Sequence, residues 1–222
     1  MFAKILHKLS KKASRKNLYN FIQLSFENEL NKNKDIKVLN IGSGGDIEEL
    51  IKQNFKNVFS IDVDEKRSPN QILDLCDDDF KDKINVKPSL VCCFEVLEHT
   101  SNPIKAIKNV HEILDKDNYF LASVPFNFHI HDEPNDFFRF TYHGLVMLFK
   151  DFSEVKIKKR NGWLESLFVN FIRLEKEKNI LSKIIGKTFI LLYFILLPLI
   201  IIIQKIVTSE KLTTGYYIEA KK

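Results

Sequence analysis

Hydrophobic residues follow two alternating periods along the middle of the chain. Short, mainly apolar runs, typical of strands, are separated by stretches in which apolar residues recur every three or four positions, as in helices. Because strands and helices that alternate in this way build parallel sheets with helices on both faces, the pattern predicts a doubly wound α/β domain. The predicted strands are 36–41, 57–62, 71–74, 89–94, 118–124 and 153–160, and the predicted helices between them are 46–53, 103–114 and 142–150.

The N-terminal residues 1–32 carry a helical pattern of their own. Apolar residues at helical spacing predict two helices, at residues 2–16 and 17–31. In the first helix one apolar face opposes a row of lysines. This face fits either contact with the rest of the chain or contact with a membrane surface. The residues that form it are Phe2, Ile5, Leu6 and Leu9.

A long apolar segment precedes the last predicted strand, residues 213–220. Residues 189–203 contain no charged side chain, but they fall short of the roughly 20 residues that span a bilayer as a helix. A single span would also carry the last strand to the far side of the membrane. We therefore predict that residues 184–207 form a hairpin broken near Pro198 or lie flat in the membrane interface. Burial against the sheet or against a second chain is the remaining alternative.

These segments divide the chain into three parts. The α/β domain comprises residues 33–163 and 210–222, the N-terminal helices precede it, and residues 164–209 form a hydrophobic, membrane-prone insertion. A chain of 222 residues with 45% hydrophobic content is long enough for one sizeable core. The cysteines show neither a disulfide framework nor the spacing of metal ligands, which fits a reducing cytoplasm. They are Cys76, Cys92 and Cys93.

The distribution of charge favours a membrane contact. The net charge is +5, yet residues 17–149 hold 22 acidic and 14 basic side chains, so the positive excess lies in the two ends. Basic ends suit an anionic membrane surface, whereas a nucleic-acid-binding protein needs positive charge around its site. We therefore expect a cytoplasmic protein, peripheral or monotopic on the inner face of the membrane, with no nucleic-acid partner. The sequence makes no prediction of oligomeric state.

A glycine-rich turn follows the first predicted strand. Gly42, Gly44 and Gly45 stand in this turn, and Asp62 ends the second strand 18 residues after Gly44. Glycines let the backbone approach a nucleotide-like ligand closely, and an acidic residue at the next strand end can accept hydrogen bonds from a ribose diol. The spacing brings both to one crevice, so the sequence predicts a nucleotide-like ligand there. No third glycine follows at the spacing of a dinucleotide fingerprint, which disfavours an NAD-linked oxidoreductase.

Six motifs in order resemble the class I S-adenosylmethionine-dependent methyltransferases over about residues 36–152. The chain looks most like the small bacterial members with an Asp-aromatic-aromatic-Arg-Phe-Thr signature. The motifs are Asn40-Ile-Gly-Ser-Gly-Gly45, Ile61-Asp62, Ile72-Leu-Asp-Leu75, Phe94-Glu-Val-Leu-Glu-His99, Ser123-Val-Pro-Phe126 and Asp136-Phe-Phe-Arg-Phe-Thr141.

This resemblance implies a fold and a cofactor site. The fold is a seven-stranded, mostly parallel, Rossmann-like sheet, with the hydrophobic helical insertion before its last strand. The cofactor is S-adenosylmethionine, and the family usually has an acidic residue at the position of Asn40. Asp46, near the start of a helix, could supply the missing charge. The implied cofactor-binding residues are Asn40, Gly42, Gly44, Asp62, Asp74, Leu75, Phe94 and Glu95.

Histidines follow the fourth and fifth strands, on the cofactor side of the sheet. A hydroxyl acceptor needs a general base, and we assign this catalytic role to His99 or His131. The alternative for His99 is that it helps to fix its own loop. His129, Asp136 and Arg139 are assigned to a substrate loop, in which Asp136 and Arg139 pair. No metal site is predicted, because the sulfonium methyl group is already activated.

The predicted reaction is methyl transfer to a hydroxyl or carboxyl group of a saccharide or lipid-linked intermediate. This acceptor class rests on the resemblance and on the membrane-prone segment. Two alternatives stay open: methylation of a quinone or other isoprenoid-like small molecule, and a cofactor-binding regulator without catalysis. The second alternative depends on Asn40.

Overall fold

The computed structural model describes residues 2–30 and 36–222; within the first range it describes the side chains of residues 8–15 and 17–27. These residues form one seven-stranded sheet in the order β3-β2-β1-β4-β5-β7-β6. The strands are β1 (Lys37–Ile41), β2 (Asn57–Asp62), β3 (Gln71–Ile72), β4 (Leu90–Phe94), β5 (Tyr119–Pro125), β6 (Glu154–Lys159) and β7 (Gly215–Lys221).

Seven helices accompany the sheet in the described residues. They are α1 (Phe2–Leu30), α2 (Gly45–Asn54), α3 (Phe80–Lys83), α4 (Pro103–Ile113), α5 (Tyr142–Leu148), α6 (Trp163–Arg173) and α7 (Ile180–Ile206). Single turns of 3₁₀-helix occur at Glu65–Arg67, Leu97–His99 and Leu174–Lys176.

The first five strands pair in parallel, and β7 runs antiparallel between β5 and β6. The predicted doubly wound, mostly parallel sheet is therefore confirmed, including the helical insertion before the last strand. All five residues of β4 are buried, as expected for a central strand covered on both faces. Because the carboxyl ends of parallel strands share one edge, the loops after β1, β2, β4 and β5 meet there.

The two predicted N-terminal helices are a single helix, α1. No glycine or proline separates them in the sequence, and two different apolar faces of the one helix serve two partners. Its later part, with Leu18 and Ile22, packs on the sheet, whereas Ala13 packs against α6 and α7. Of the four residues assigned to the lysine-opposed face, Leu9 contacts the same cluster as Ala13. The side chains of the other three, and the predicted end of the second helix at residue 31, lie outside the described residues.

The hydrophobic insertion consists of two helices, α6 and α7, which pack against each other as a hairpin. The predicted hairpin within residues 184–207, with its break near Pro198, is wrong, because α7 continues through that proline. Residues on both sides of Pro198 are tied to the same partner on α6. Tyr193 donates from its hydroxyl to Glu165 Oε1 at 2.7 Å, and Glu165 N–H donates to Gln204 Oε1 at 2.9 Å.

Candidate active site

The glycine-rich turn joins β1 to α2. Gly42, Gly44 and Gly45 have φ angles of +90°, +85° and +74°, which side-chain-bearing residues rarely adopt. A Cβ atom on Gly42 would lie 2.6 Å from Val96 Cγ2, so the turn packs directly on the segment after β4. A Cβ atom on Gly45 would meet nothing within 4 Å. One side of the turn is therefore close-packed and the other is open.

Asp62 ends β2 against this turn. Its Oδ2 accepts a hydrogen bond from Ser43 N–H at 2.8 Å, and its Oδ1 accepts one from Asp64 N–H at 2.9 Å. Each carboxylate oxygen has a second lone pair, and 10% of the side chain is exposed. Asp62 can therefore accept further hydrogen bonds from a ligand in the crevice while it holds the turn.

Asn40 lies inside the same turn. It is buried and donates from Nδ2 to the carbonyl oxygen of Gly42 at 2.9 Å. Asp46 does not bring charge to this point, because its carboxylate pairs with Lys11 of α1 and accepts from the Tyr19 hydroxyl. The contacts of Asp46 thus lie with α1.

A buried carboxylate that the sequence analysis missed supports the turn. Glu48, in the first turn of α2, accepts hydrogen bonds from Ser43 Oγ and from Gly44 N–H. Although burial opposes ionisation, hydrogen bonds from Lys52 and Gly44 hold the pKa of Glu48 below its ordinary value. Negative charge therefore does lie at the turn, supplied by Glu48.

The loop after β3 lies beside Asp62, since Leu73 N–H donates to Asp62 O at 3.1 Å. Asp74 accepts from Cys76 N–H at 2.8 Å in a local turn. Leu75 is buried, and its carbonyl oxygen accepts from Asn109 Nδ2 at 2.8 Å. The structure thus places the predicted residues of the first three strand ends next to one another.

Phe94 and Glu95 are held by the protein interior. Phe94 packs in the cluster under α1, and Glu95 follows it with a φ of +57°, uncommon for a non-glycine residue. Glu95 accepts from Ser123 Oγ at 2.7 Å and pairs with Arg160, whose Nη1 lies 3.0 Å from Glu95 Oε2. Burial opposes ionisation of Glu95, but the charge of Arg160 keeps its pKa below the ordinary value.

Two histidines meet over a buried carboxylate. The rings of His99 and His131 form an edge-to-face pair with centroids 5.1 Å apart, and each Nε2 lies 3.9 Å from Glu98 Oε1. Glu98 is fully buried, and neither of its carboxylate oxygens has a hydrogen-bond partner among the described residues. Burial, together with the charge of Glu95, raises the pKa of Glu98 well above its usual range.

His129 lies next to the pair of His99 and His131 but is not paired with Glu98. Its ring lies 5.6 Å from that of His131 and packs edge-to-face on Phe128. Burial and the positive charge of Arg173 lower the pKa of His129 to about 3. His129 is therefore neutral near pH 7.

The Asp136–Arg139 pair builds the loop that carries His129 and His131. Arg139 forms two hydrogen bonds of 2.6 Å to the two oxygens of Asp136, and Arg139 Nη2 also donates to His129 O at 2.9 Å. Asp136 in turn accepts from His131 N–H at 2.8 Å. Although burial alone would raise it, the hydrogen bonds from Arg139 hold the pKa of Asp136 well below its usual range. The pair therefore orients the loop.

The same loop is fastened to the segment after β4. The carbonyl oxygen of Glu98 accepts from Phe137 N–H at 2.9 Å and from Phe138 N–H at 3.2 Å. These bonds bring the histidines that follow two different strands into one cluster. The sequence predicts roles for the histidines but none for Glu98, although its motif contains that residue, because burial without a partner leaves no local pattern in a sequence.

Known proteins of similar structure and sequence bear on this site. A family model described as "Methyltransferase domain" matches residues 5–163. A search of curated proteins found no match. A S-adenosylmethionine-dependent methyltransferase from Archaeoglobus fulgidus is similar in structure, with a TM-score of 0.57, 16% identity, and coverage of 92% of this chain and 94% of that one.

Two further solved structures share the fold at lower identity. The [4+2]-cyclase SpnF has a TM-score of 0.57 and 11% identity over 92% of this chain and 81% of its own. Coclaurine N-methyltransferase has a TM-score of 0.55 and 11% identity over 91% of this chain and 72% of its own. The matched family model covers most of the chain and the glycine turn, and the fold agrees with it. The chain belongs to the methyltransferase domain family and is a S-adenosylmethionine-dependent methyltransferase.

Proposed function

We propose that this enzyme transfers the methyl group of S-adenosylmethionine to a hydroxyl or carboxyl group of a saccharide or lipid-linked intermediate at the cytoplasmic face of the membrane. A hydroxyl is the acceptor that the histidine cluster suits best. The observation that carries the proposal is an apolar helix face, on α7, whose hairpin partner α6 packs against the histidine loop.

The crevice residues fit S-adenosylmethionine. The open side of the glycine turn leaves room for a backbone contact, and Asp62 keeps free lone pairs for ribose hydroxyls. Asp74 and Leu75, beside Asp62, are suited to the adenine ring, and Glu48 supplies negative charge at the turn. When bound, S-adenosylmethionine supplies a methyl group on a positively charged sulfur. The chain then has to align an acceptor oxygen and remove its proton.

The histidine cluster can take that proton. His99 Nδ1 lies 2.7 Å from Asn135 O, and a carbonyl oxygen only accepts, so Nδ1 carries the hydrogen and Nε2 of the neutral ring keeps a lone pair. His131 Nδ1 faces His129 O at 3.3 Å in the same way. Both rings therefore present a basic nitrogen beside Glu98, at the end of the sheet that holds the glycine turn.

One face of α7 is apolar over most of its length, with Thr188 as the polar residue on it. The helix is long and apolar enough to cross a membrane, and only 17% of its most apolar 18-residue stretch is buried. The opposite face, however, is covered: Gly186 abuts the backbone of Glu175, and Gln204 abuts Gly162. A helix covered by its own domain on one side is suited to lie in the membrane interface. We define the outer face of α7 as Ile184, Leu191, Ile195, Leu199, Ile202 and Ile206, all of them exposed.

Positive charge accompanies this outer face. Lys187 and Lys205 are exposed on α7, near its two ends. Lysines at the border of an apolar face can reach anionic head groups while their stems stay in the apolar layer. The outer face and its lysines together suit an anionic leaflet better than a neutral protein partner.

The hairpin also touches the histidine loop. Asn170 of α6 donates from Nδ2 to Asn127 O at 3.1 Å, and the Arg173 guanidinium carbon lies 5.2 Å from the centre of the Phe128 ring. A membrane-docked hairpin would hold this loop near the lipid surface. An acceptor whose reactive group stands just above the head groups would then reach His131, which supports the lipid-linked class.

Replacement of Asp62 tests the cofactor site. We expect Asp62→Ala to weaken S-adenosylmethionine binding by about 1.5–3 kcal/mol, the range for lost hydrogen bonds to a charged group. Asp64→Ala is the matched control, because its carboxylate caps the turn at Lys66 and is exposed. Titration calorimetry measures both affinities, and equal affinities in the two variants would show that Asp62 has no part in cofactor binding.

Two acidic substitutions on the outer face test membrane docking. Ile195 and Leu199 are 72% and 50% exposed, and each large apolar side chain removed from lipid costs about 1.5–3 kcal/mol. We expect the double variant Ile195→Asp/Leu199→Asp to bind vesicles of phosphatidylglycerol and phosphatidylethanolamine at least about 100-fold more weakly, since about 1.4 kcal/mol is tenfold. Sedimentation of the vesicles measures the bound fraction.

The control for this variant is Ile104→Asp on α4, a residue 69% exposed and outside the insertion. It should bind vesicles as the wild type does. Binding of the double variant at the wild-type level would contradict docking through the outer face.

The acceptor class is tested with the complete enzyme. Purified protein is incubated with S-adenosylmethionine labelled in its methyl group and with membranes from the source organism, and the products are divided between organic solvent and water. The proposal expects label in the organic phase or on a lipid-released saccharide. Label confined to free water-soluble small molecules would contradict it.

A further inference from the structure

The Glu98, His99 and His131 cluster has the composition of a metal site. One carboxylate and two imidazoles provide ligand atoms that all lie within 4.8 Å of one another. The groups come from two separate segments, the turn after β4 and the loop after β5. Two histidines and one glutamate form the protein ligand set of several catalytic zinc sites.

The buried, unpartnered carboxyl group of Glu98 is the observation that indicates a missing ligand. It is fully buried, and neither carboxylate oxygen has a hydrogen-bond partner among the described side chains and backbone groups. A buried polar group without a partner is costly. Its Oε1 is aimed between the two Nε2 atoms, at 3.9 Å from each. A cation at that point would satisfy the carboxylate and both imidazole lone pairs.

The groups around the two histidines hold the rings through hydrogen bonds, as the hydrogen-bond partners of histidine ligands do in metal sites. His99 Nδ1 is bonded to Asn135 O at 2.7 Å. His131 Nδ1 lies 3.3 Å from both His129 O and Asp136 Oδ2. Histidine ligands generally donate their other ring N–H to a carbonyl or carboxylate, which fixes the ring and directs the free nitrogen to the metal. Both rings of the cluster meet that requirement.

The separations between the three ligand atoms are longer than those around a zinc ion. Ligand atoms about 2.0–2.1 Å from a tetrahedral zinc ion lie roughly 3.3 Å from one another. The separations of 3.9 Å to Glu98 Oε1, and of up to 4.8 Å across the whole set, exceed this value, so the side chains would move closer together on an ion. The histidine side chains are 22% and 20% exposed, whereas Glu98 is closed off, so the open position of the ion would face the crevice.

We propose that Glu98, His99 and His131 bind one divalent transition-metal ion of the Zn²⁺, Co²⁺ or Mn²⁺ type, with an open position for the oxygen of the methyl acceptor. The mixed nitrogen and oxygen donors favour these ions over Ca²⁺ and Mg²⁺, which prefer all-oxygen sites. The inference departs from the sequence expectation of no metal. It rests on the proposed function only for the identity of the acceptor.

The ion would change how the acceptor loses its proton. Held in the open position, an acceptor hydroxyl becomes more acidic, because the cation stabilises negative charge on its oxygen. The O–H bond breaks and the proton leaves to water. The oxygen forms its bond to the methyl carbon as the carbon–sulfur bond breaks, and that electron pair stays on sulfur. The products are the O-methylated acceptor, S-adenosylhomocysteine and one proton.

Cobalt binding tests this inference without any acceptor. Full-length protein is treated with a chelator, freed of it, and titrated with Co²⁺ while the visible absorption of the ion is recorded. We expect one equivalent to bind and to give bands typical of nitrogen and oxygen coordination. Loss of a hydrogen-bond partner of a metal ligand weakens metal binding by up to about 100-fold. Because Glu98 and His131 would be direct ligands, we expect Glu98→Gln and His131→Ala to weaken cobalt binding by at least this factor. His143→Ala, at an exposed position of α5, should bind as the wild type does.

The outcomes separate this inference from the proposed function. Glu98→Gln keeps the volume of the side chain, so it decides the matter if His131→Ala fails to fold. Absence of cobalt bands in the wild type, or unchanged bands in Glu98→Gln, would overturn the metal site and leave membrane methyl transfer standing. Cobalt binding without label in any lipid-linked product would instead overturn the proposed function alone.

Discussion

Replacement of Arg160 by methionine should lower the free energy of unfolding by about 3–5 kcal/mol, the range for breaking a buried ion pair from one side. Arg160 is 5% exposed and pairs with Glu95 through both terminal nitrogens. The substitution leaves the Glu95 carboxylate, whose side chain is 14% exposed, with Ser123 Oγ as its remaining side-chain hydrogen-bond partner. Urea unfolding followed by circular dichroism measures the change.

Two variants control for this effect. Lys87 and Asp115 form an ion pair with side chains 71% and 59% exposed. Lys87→Met should therefore cost less than about 1 kcal/mol. The double variant Glu95→Gln/Arg160→Met should recover much of the loss, because no buried charge is left alone. A loss from Arg160→Met as small as that from Lys87→Met would contradict a structural role of the pair.

Replacement of His131 by alanine should lower turnover by about 10²–10⁴-fold with little change in affinity for S-adenosylmethionine. His131 Nε2 faces Glu98, whereas the residues proposed to bind the cofactor include Gly42, in the turn after β1, and Asp62, at the end of β2 beside that turn. The loss follows whether the imidazole takes the acceptor proton itself or holds a metal ion that acidifies the acceptor.

His143→Ala is the matched control for that variant. His143 is exposed on α5 and outside the cluster, so its removal should leave turnover unchanged. Turnover is measured on an identified acceptor at saturating cofactor, and calorimetry gives the affinity. Full turnover by His131→Ala would exclude it from proton removal, and a parallel loss of cofactor affinity would indicate a collapsed loop instead.

The sheet was predictable because its signals are local. The alternation of apolar strands with helical patterns, together with the glycine turn, predicts the strand ends at which the proposed cofactor residues lie. α1 and α7 were less accessible to this reasoning. Whether two helical segments join, or whether a helix continues through Pro198, depends on tertiary contacts such as those of Glu165 with Tyr193 and Gln204.

The residues of the candidate site are of two kinds: those that a sequence motif identifies, and those whose roles depend on the folded chain. Gly42 and Asp62 stand at positions that a motif identifies, and the structure brings them together. Glu48 and Arg160 stand in no motif, and the motif that contains Glu98 gives it no role. The partner of Arg160 lies 65 residues away in the sequence, and the burial of Glu48 and Glu98 depends on the folded chain. Phe94 and Glu95 match the motif, yet their side chains are engaged by the core and by Arg160. A motif thus locates a backbone position more reliably than it locates a side-chain contact.

The central claim is that methyl transfer occurs on a membrane-held acceptor reached through the outer face of α7. Its most direct test is the rate of labelled methyl transfer by Ile195→Asp/Leu199→Asp, measured on intact membranes and on the same acceptor dispersed in detergent. The account predicts a rate on membranes at least about 100-fold below that of the wild type, in line with the loss of two buried apolar side chains, and a near-normal rate in detergent. Equal rates for the variant and the wild type on intact membranes would contradict it.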